Sequence, residues 1–485
     1  MKGSKKMISN FHFEILTDAQ KEKLVDTAYR IMEEIGMNIH LPEAVELLRK
    51  AGCNVAEDGI RVYIPRDVTK KAIDSAPAGI QIYDRNGKEA MLLEGRNSYF
   101  GPGPTCPYFY DPQTGERRPS TKQDAADTAK VCDALPNIDY VMSLVMVGDQ
   151  TDVLADIHEV DAMVRNSTKP ICTWAFNAAN MENLFQMCAA VAGGEKELRE
   201  KPFLIVYSEP TSPLSHGKDA LEKLIIAAKY GVPCIYTPGM IFGGTAPMTI
   251  AGALPQGLAE FLTGLVIAQL VAPGAPIIGG TSGSPLDMKT MQTPYGSPEC
   301  SLILAASNEV MRYLGIPSFD MAGATESKKV DAQSGAEIAM EILISLQSGG
   351  NLIHDCGFMD VGITGSLDQL VLCDEVIGMA KRYCQSVAVD DDRIGFDTIK
   401  AVGPGGNYLS EEHTFQYFRS DIWTPTIMER RAYEGWAADG SKDMAQRVHE
   451  KMIEILESHA PEALSDDVLK QLDDIVAAAE ARVSK

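Results

Sequence analysis

Ten aromatic side chains fall at the ends of short apolar runs or just beyond them: Tyr99, Phe100, Trp174, Phe176, Tyr207, Tyr236, Phe242, Tyr295, Phe319 and Phe358. Beside them stand Glu209, Thr237, Thr281, Asp320, His354 and Asp355. Rings with a few acids suit a cation, above all a quaternary ammonium, which has no hydrogen to donate and is held by ring faces instead. The plainer alternative is that many of these rings fill a core, since aromatics carry a large burial energy anyway. Other chemistries find less support. A Schiff-base enzyme needs a lysine projecting from a strand, but Lys169 and Lys201 precede their runs and no lysine lies within them. The eight histidines include no H-x-H or H-x-x-x-H pair, and the ten cysteines no C-x-x-C. Zinc and iron–sulfur sites are therefore not expected. The segments 242–249 and 279–284 are Gly-rich and read either as anion cradles or as tight turns.

The elements that must position these groups show a regular rhythm. Short β-type runs occur at 98–101, 140–147, 170–174, 203–208, 233–237, 276–280, 318–320 and 351–355. Helical patterns follow at 153–165, 181–192, 221–230, 256–271, 300–314 and 333–346. Strands alternating with helices predict right-handed βαβ units and a parallel sheet. Eight runs predict an α/β fold of the (β/α)₈ TIM-type barrel class, whose sites lie at the C-terminal ends of the strands. A doubly wound sheet is the alternative, but its phosphate loop would have to be FGPGP at 100–104, where Pro102 and Pro104 remove backbone donors. Residues 1–95 read as an α+β cap, 96–385 as the barrel, and 386–485 as a C-terminal loop and helical extension packing on the barrel or on a second copy of the chain. A homo-oligomer is the expectation.

Composition narrows the class. The 485 residues are 45% hydrophobic and 23% charged, which excludes a disordered or fibrous chain. A formal charge of −23 repels phosphate backbones and anionic bilayers, so no nucleic-acid or membrane-surface partner is expected. The longest apolar stretch, 261–272, is shorter than the ~20 residues that span a bilayer. The basic N-terminus lacks an apolar region after its lysines and does not read as a secretory signal. Scattered cysteines on apolar segments read as buried, reduced thiols of a cytoplasmic protein.

Several strings resemble the trimethylamine methyltransferase family: PGMIFGGTAPMT at 238–249, YGSPE at 295–299, SKKVDAQSGAE at 327–337, and GPGGNYL at 403–409 followed by His413-Thr414. The similarity runs from about residue 15 to the C-terminus. It implies a (β/α)₈ barrel that removes a methyl group from a methylated amine and passes it to the Co(I) corrinoid of a separate partner protein. No tightly bound metal or nucleotide is implied. Trimethylamine enzymes of the family carry pyrrolysine after a late strand, where this chain reads MAGATES at 321–327. The chain thus resembles the non-pyrrolysine branch, which acts on quaternary amines such as glycine betaine, proline betaine and carnitine.

On this reading Tyr99, Phe100, Trp174, Tyr207 and Phe358 are candidates for a substrate cage. Glu209 or Asp320 would add a counter-charge. His354 and the hydroxyls of Thr237 and Thr281 would hold a substrate carboxylate or line the corrinoid approach. A quaternary nitrogen leaves as a neutral amine and needs no acid, so the protein's task is positioning. A trimethylamine-type methyltransferase, a non-catalytic betaine-binding or sensor protein, and an unrelated barrel lyase or aldolase remain as alternatives.

Overall fold

The computed structural model describes residues 12–483; the basic N-terminal stretch up to residue 11 lies outside the described residues. The eight runs all form strands: β1 (Tyr99–Pro102), β2 (Val141–Met142), β3 (Ile171–Thr173), β4 (Leu204–Ser208), β5 (Cys234–Tyr236), β6 (Ile277–Gly279), β7 (Phe319–Met321) and β8 (Leu352–Cys356). A helix follows each in turn: α1 (Lys122–Ala134), α2 (Ala155–Asn166), α3 (Ala178–Ala192), α4 (Lys218–Tyr230), α5 (Ile250–Val271), α6 (Pro298–Tyr313), α7 (Ala332–Ser348) and α8 (Leu367–Tyr383). Helices α1 and α8 had no counterpart among the sequence patterns. Their starts are set by Thr121, in a capping box with Asp124, and by Ser366, which accepts from Gln369 N–H.

The strands form two parallel arcs, one ordered β2-β3-β4-β5-β6 and the other β7-β8-β1. A single bridge, Gly279 to Ser318, links β6 toward β7. On the other side Asp139 N–H donates to Phe100 O at 2.6 Å, and Phe100 N–H to Asp139 Oδ2 at 2.9 Å. The architecture is thus α/β and barrel-type, with two arcs ringed by helices.

Through the lower and middle strand residues side chains alternate between two environments, as the strand pleat requires. Met142, Cys172, Ile205, Ile235, Ile278, Phe319 and Leu352 turn inward and form one cluster. Phe100, Val141, Ile171, Leu204, Val206, Cys234, Tyr236, Ile277 and Ile353 turn outward into the main core beneath the helices. The inner cluster is completed from below by an antiparallel hairpin, Ile80–Tyr83 with Glu89–Leu93, whose Ile80, Ile82, Met91 and Leu93 join it. Tyr140 shares that layer and donates its hydroxyl to Ile353 O at 2.9 Å. Gly101 makes room for its ring.

The rest braces the outside. Helix α5 is long and apolar enough to cross a membrane by length and composition, but most of it is buried. It packs under the N-terminal helices Asp18–Arg30 and Arg66–Ser75. The terminal helices Met444–Ser458 and Asp466–Val483 pack on the barrel helices, the first on α8 and α1, the second on α3 and α2. All ten cysteines are buried and none is in a disulfide, as expected.

Candidate active site at the strand ends

Inward parity and height along each strand decide what reaches the upper end. On β4 the parity of Ile205 carries through Tyr207 to Glu209, on β7 that of Phe319 to Met321, and on β8 that of Leu352 to His354. All of these from Tyr207 upward line one cavity of about 360 Å³. That volume lies at the small end of the ~300–1,000 Å³ of small-molecule sites. Above the strands, Gly239–Phe242 and Ser282–Pro285 pair in parallel and extend one wall. Tyr295, Phe358, Thr105 and Gly362 supply the opposite side.

The rings stand around the space in pairs. Tyr207 and Phe319 have centroids 5.8 Å apart, and Tyr295 and Phe358 6.5 Å apart. Phe319 also lies 4.2 Å from the His354 ring. The Tyr207 hydroxyl donates to Glu209 Oε2 at 2.5 Å. Burial, reinforced by Glu209, pushes the Tyr207 phenol upward, and burial does the same for Tyr295. Both hydroxyls therefore stay protonated at neutral pH.

His354 and Asp355 form the floor's polar pair. His354 Nδ1 lies 2.9 Å from Asp320 O, and Nε2 lies 3.3 Å from Asp355 Oδ1. Asp355 has φ +86°, a region that non-glycine residues rarely adopt, so its carboxylate is aimed at the cavity at some backbone cost. Gly103 makes that aim sterically feasible. A Cβ there would overlap both Asp355 Oδ1 and the Phe358 ring. Burial raises the Asp355 carboxyl above the usual carboxylate range. The ionisable side chains lining the cavity are acids, tyrosines and His354; no lysine or arginine is among the lining residues.

Of the ten residues assigned a substrate-binding or catalytic role from sequence, Tyr207, Glu209, His354 and Phe358 meet in this cavity. The others do not, each for a physical reason. Phe100 has outward parity and packs in the helix-facing core. Tyr99 points inward but opens its strand, so it sits at the bottom, where its hydroxyl accepts from Leu92 N–H at 3.1 Å. Asp320 also faces outward; its carboxylate accepts from Asn308 Nδ2 at 2.7 Å, from Ser345 Oγ and from its neighbour Met321 N–H. Thr281 faces outward as well, beside Gly257 of α5. Thr237 is buried 3.5 Å below Ser282 Oγ. Trp174 lies past the end of β3, and its Nε1–H donates to the buried Glu159 of α2 at 2.9 Å. Tyr295, Phe319 and Asp355, noted among the strand-end rings and acids but not assigned to the cage, take the vacated places, with Met240 and Met321.

The Gly-rich segments are not free cradles. Gly244 N–H and Thr245 N–H both donate to Ile241 O, Gly243 N–H to Ala246 O, and Thr281 N–H to Ser307 Oγ. These donors are spent on turns and on α6. Lys169 likewise sits at the strand's starting end, with its ammonium on the carbonyls of Cys132, Leu135 and Ile138. Among the described residues no group of three or more His, Cys, Asp or Glu is placed to hold a metal ion.

Comparison with known proteins agrees with this architecture. The family model described as "Trimethylamine methyltransferase (MTTB)" matches residues 3–484. A trimethylamine methyltransferase MttB of Desulfitobacterium hafniense (strain DSM 10664 / DCB-2) is 32% identical over 472 residues, 97% of this chain and 94% of its own length. A glycine betaine methyltransferase of Desulfitobacterium hafniense (strain Y51) is 31% identical over 468 residues, 96% of this chain and 97% of its own. A trimethylamine methyltransferase MttB of Methanosarcina thermophila is 33% identical over 463 residues, 93% and 95% of the two chains. Among solved structures, the Methanosarcina barkeri monomethylamine methyltransferase MtmB superposes with a TM-score of 0.51 at 11% identity, covering 93% of this chain and 89% of that one; this is a likeness of fold. The match over nearly the whole length, together with an acid-and-ring cavity at the strand ends, shows that the chain belongs to the trimethylamine methyltransferase family and is a methyltransferase.

Proposed function

We propose that the cavity binds a methylated ammonium cation and presents one N-methyl group to the Co(I) corrinoid of a separate partner protein. The observation that carries this reading is the lining itself: four aromatic rings of Tyr and Phe, two acids, and no lysine or arginine. Ring faces and acids attract a cation. A betaine brings a carboxylate as well, which would meet Glu209 and Asp355 with only His354 to answer it. That charge argument moves the first choice of substrate away from betaines, to a trimethylamine-type or simple quaternary ammonium. Trimethylamine is also in the names of two of the three relatives above.

The corrinoid would supply a reduced cobalt nucleophile for the methyl carbon. The protein's own part is to hold the nitrogen as a cation, so that the C–N electron pair returns to it and a neutral amine leaves. For a tertiary amine this requires an N–H, and the Asp355 or Glu209 carboxylate is positioned to accept it. Residues 321–327 are all standard amino acids, which leaves activation to that protonation. The rings fix the methyl group's direction, which gives the near-attack geometry. They must not bind too well, because the charge on nitrogen disperses in the transition state.

The surrounding surface supports a protein-borne acceptor. Met248, Met288 and Met291 are exposed on segments that continue or flank the Gly239–Phe242 and Ser282–Pro285 wall. Flexible, polarisable methionines suit an adaptable protein contact. The reading takes the two arcs as one closed (β/α)₈ barrel, sealed by the Gly279–Ser318 and Asp139–Phe100 contacts, with 1–95 as cap and 386–485 as extension. The deciding experiment mixes the protein and a Co(I) corrinoid protein with trimethylamine, tetramethylammonium or glycine betaine and follows loss of the reduced corrinoid's absorbance. Turnover of trimethylamine or tetramethylammonium is expected. Turnover of glycine betaine with the other two inert would overturn the substrate assignment.

A further inference from the structure

We propose that His354 and Asp355 hold one proton in the empty site and release it when the ammonium enters, so that the pair becomes singly negative as the cation arrives. The inference rests on the cation reading above and adds a proton balance to it.

The balance follows from which atoms can carry hydrogen. His354 Nδ1 faces Asp320 O at 2.9 Å, and a carbonyl oxygen has no proton to give. Nδ1 is therefore the N–H. That leaves Nε2, with its lone pair, 3.3 Å from Asp355 Oδ1. Two bare acceptors at that distance repel each other, and one proton taken up by either removes the repulsion. Whether it sits on the Asp355 carboxyl or on Nε2, the pair is neutral, and the proton belongs to the pair.

The surroundings favour this neutral state when the site is empty. The Asp355 side chain is 2% exposed, and its Oδ1 has no hydrogen-bond partner among the described residues; His354 Nε2 stands at ion-pair distance, 3.3 Å, without hydrogen-bond alignment. No lysine or arginine lines the cavity to neutralise it. A buried carboxylate without a counter-ion is costly and takes up a proton instead. The other acids near it are engaged. Asp320 turns its carboxylate to Asn308 and Ser345, Glu341 accepts from Gly323 N–H and Ala324 N–H, and Glu209 accepts from Tyr207. The phenols of Tyr140, Tyr207 and Tyr295 and the thiols of Cys106, Cys300 and Cys356 are all pushed upward by burial and keep their protons.

A methylated ammonium in the cavity changes the preference. An opposite charge within ~4–6 Å favours the ionised carboxylate, and the shared proton leaves to solvent. The atoms balance: one cation enters, one proton departs, and the site's net charge is unchanged. The exchange also limits over-binding of the ground state, because each cation must displace a proton.

The test is titration calorimetry of the full chain with tetramethylammonium chloride, a permanent cation with no proton of its own. Runs in phosphate and in Tris, whose ionisation enthalpies differ, report protons released. Close to one proton per cation is expected where the empty pair is protonated, with Kd falling about tenfold per pH unit and levelling once the pair has ionised. Asp355→Asn, checked for folding by circular dichroism, should bind with a pH-independent Kd and release no proton. Cation binding to the native chain with no release and a flat pH profile would overturn the proton balance and leave the cation site standing. Release that persists in Asp355→Asn would assign the proton elsewhere and overturn the pair. Absence of binding by tetramethylammonium and trimethylammonium alike would overturn both this inference and the cation reading beneath it.

Discussion

Tyr207 offers the sharpest separation of ring from hydroxyl. Its ring lines the cavity opposite Tyr295 and Phe358, while its hydroxyl is spent on Glu209 at 2.5 Å. Tyr207→Ala removes one ring face from a desolvated cation. Such a contact contributes about 2 kcal/mol, and at 1.4 kcal/mol per decade that is roughly a 25-fold rise in Kd. Tyr207→Phe keeps the face and removes only the bond to Glu209. Glu209 is exposed, so water replaces the lost donor, and a rise of no more than about threefold is expected. Calorimetry with tetramethylammonium measures both. If the alanine variant binds as tightly as the native chain, the ring is not part of a cage. If the phenylalanine variant is as impaired as the alanine one, the Glu209 bond rather than the ring carries the affinity, and the cation–π argument is wrong.

Other consequences are equally open to measurement. Trp174→Phe should leave the Kd for the cation unchanged, because the indole is turned to Glu159, but should lower stability by about 1–3 kcal/mol in urea titration by stripping that buried acid of a donor. Gly103→Ala should weaken cation binding by an order of magnitude or so on the same calorimetric assay, since its Cβ displaces Asp355 and Phe358; retained affinity would show that neither needs its present position. His216 is fully buried against the Tyr236 hydroxyl at 2.8 Å, and burial lowers its pKa from 6.5 to about 3. The unfolded chain therefore binds the extra proton first, and stability present above pH 6.5 is lost by about 1.4 kcal/mol per pH unit as pH falls toward 3. In His216→Gln the dependence of unfolding free energy on pH over that window should lessen by one proton. Replacing Met288 and Met291 with Lys should raise the KM for the corrinoid protein while the Kd for the cation stays constant.

The alternating, barrel-type α/β architecture was legible because its strands are buried on both faces and its helices are amphipathic, so eight apolar runs could be counted and all eight formed strands. Helices α1 and α8 were missed because their apolar stripes are diluted by Asp124, Thr128, Asp374 and Glu375, which are buried in place of apolar residues. At the site, four of the ten residues assigned a role line the cavity, and the positions of the other six have one main source. Aromatic or acidic type at a strand end was weighed, and the two-residue alternation was not. Counting parity from the run LIHDC would have put His354 inside, and counting along FDM would have put Phe319 inside and Asp320 outside. The same count separates Gly280 from Thr281 and Gly101 from Phe100. Asp355 breaks the alternation through its positive φ, and nothing in its own residue type announces that. The orientation of Trp174, past the last paired residue, depends on its bond to Glu159, a contact between separate elements that no local pattern encodes.

The hairpin Ile80–Tyr83/Glu89–Leu93 stoppers the sheet's lower end with Ile80, Ile82, Met91 and Leu93. A vessel corked at its base fills and empties through its neck. On the proposed reading, a small cation and a bulky protein-borne acceptor sharing that neck would arrive in sequence: the amine first, the acceptor as a lid behind it. On the same reading, the demethylated amine would stay behind the lid until it departs, which would couple loading of the next substrate to acceptor release.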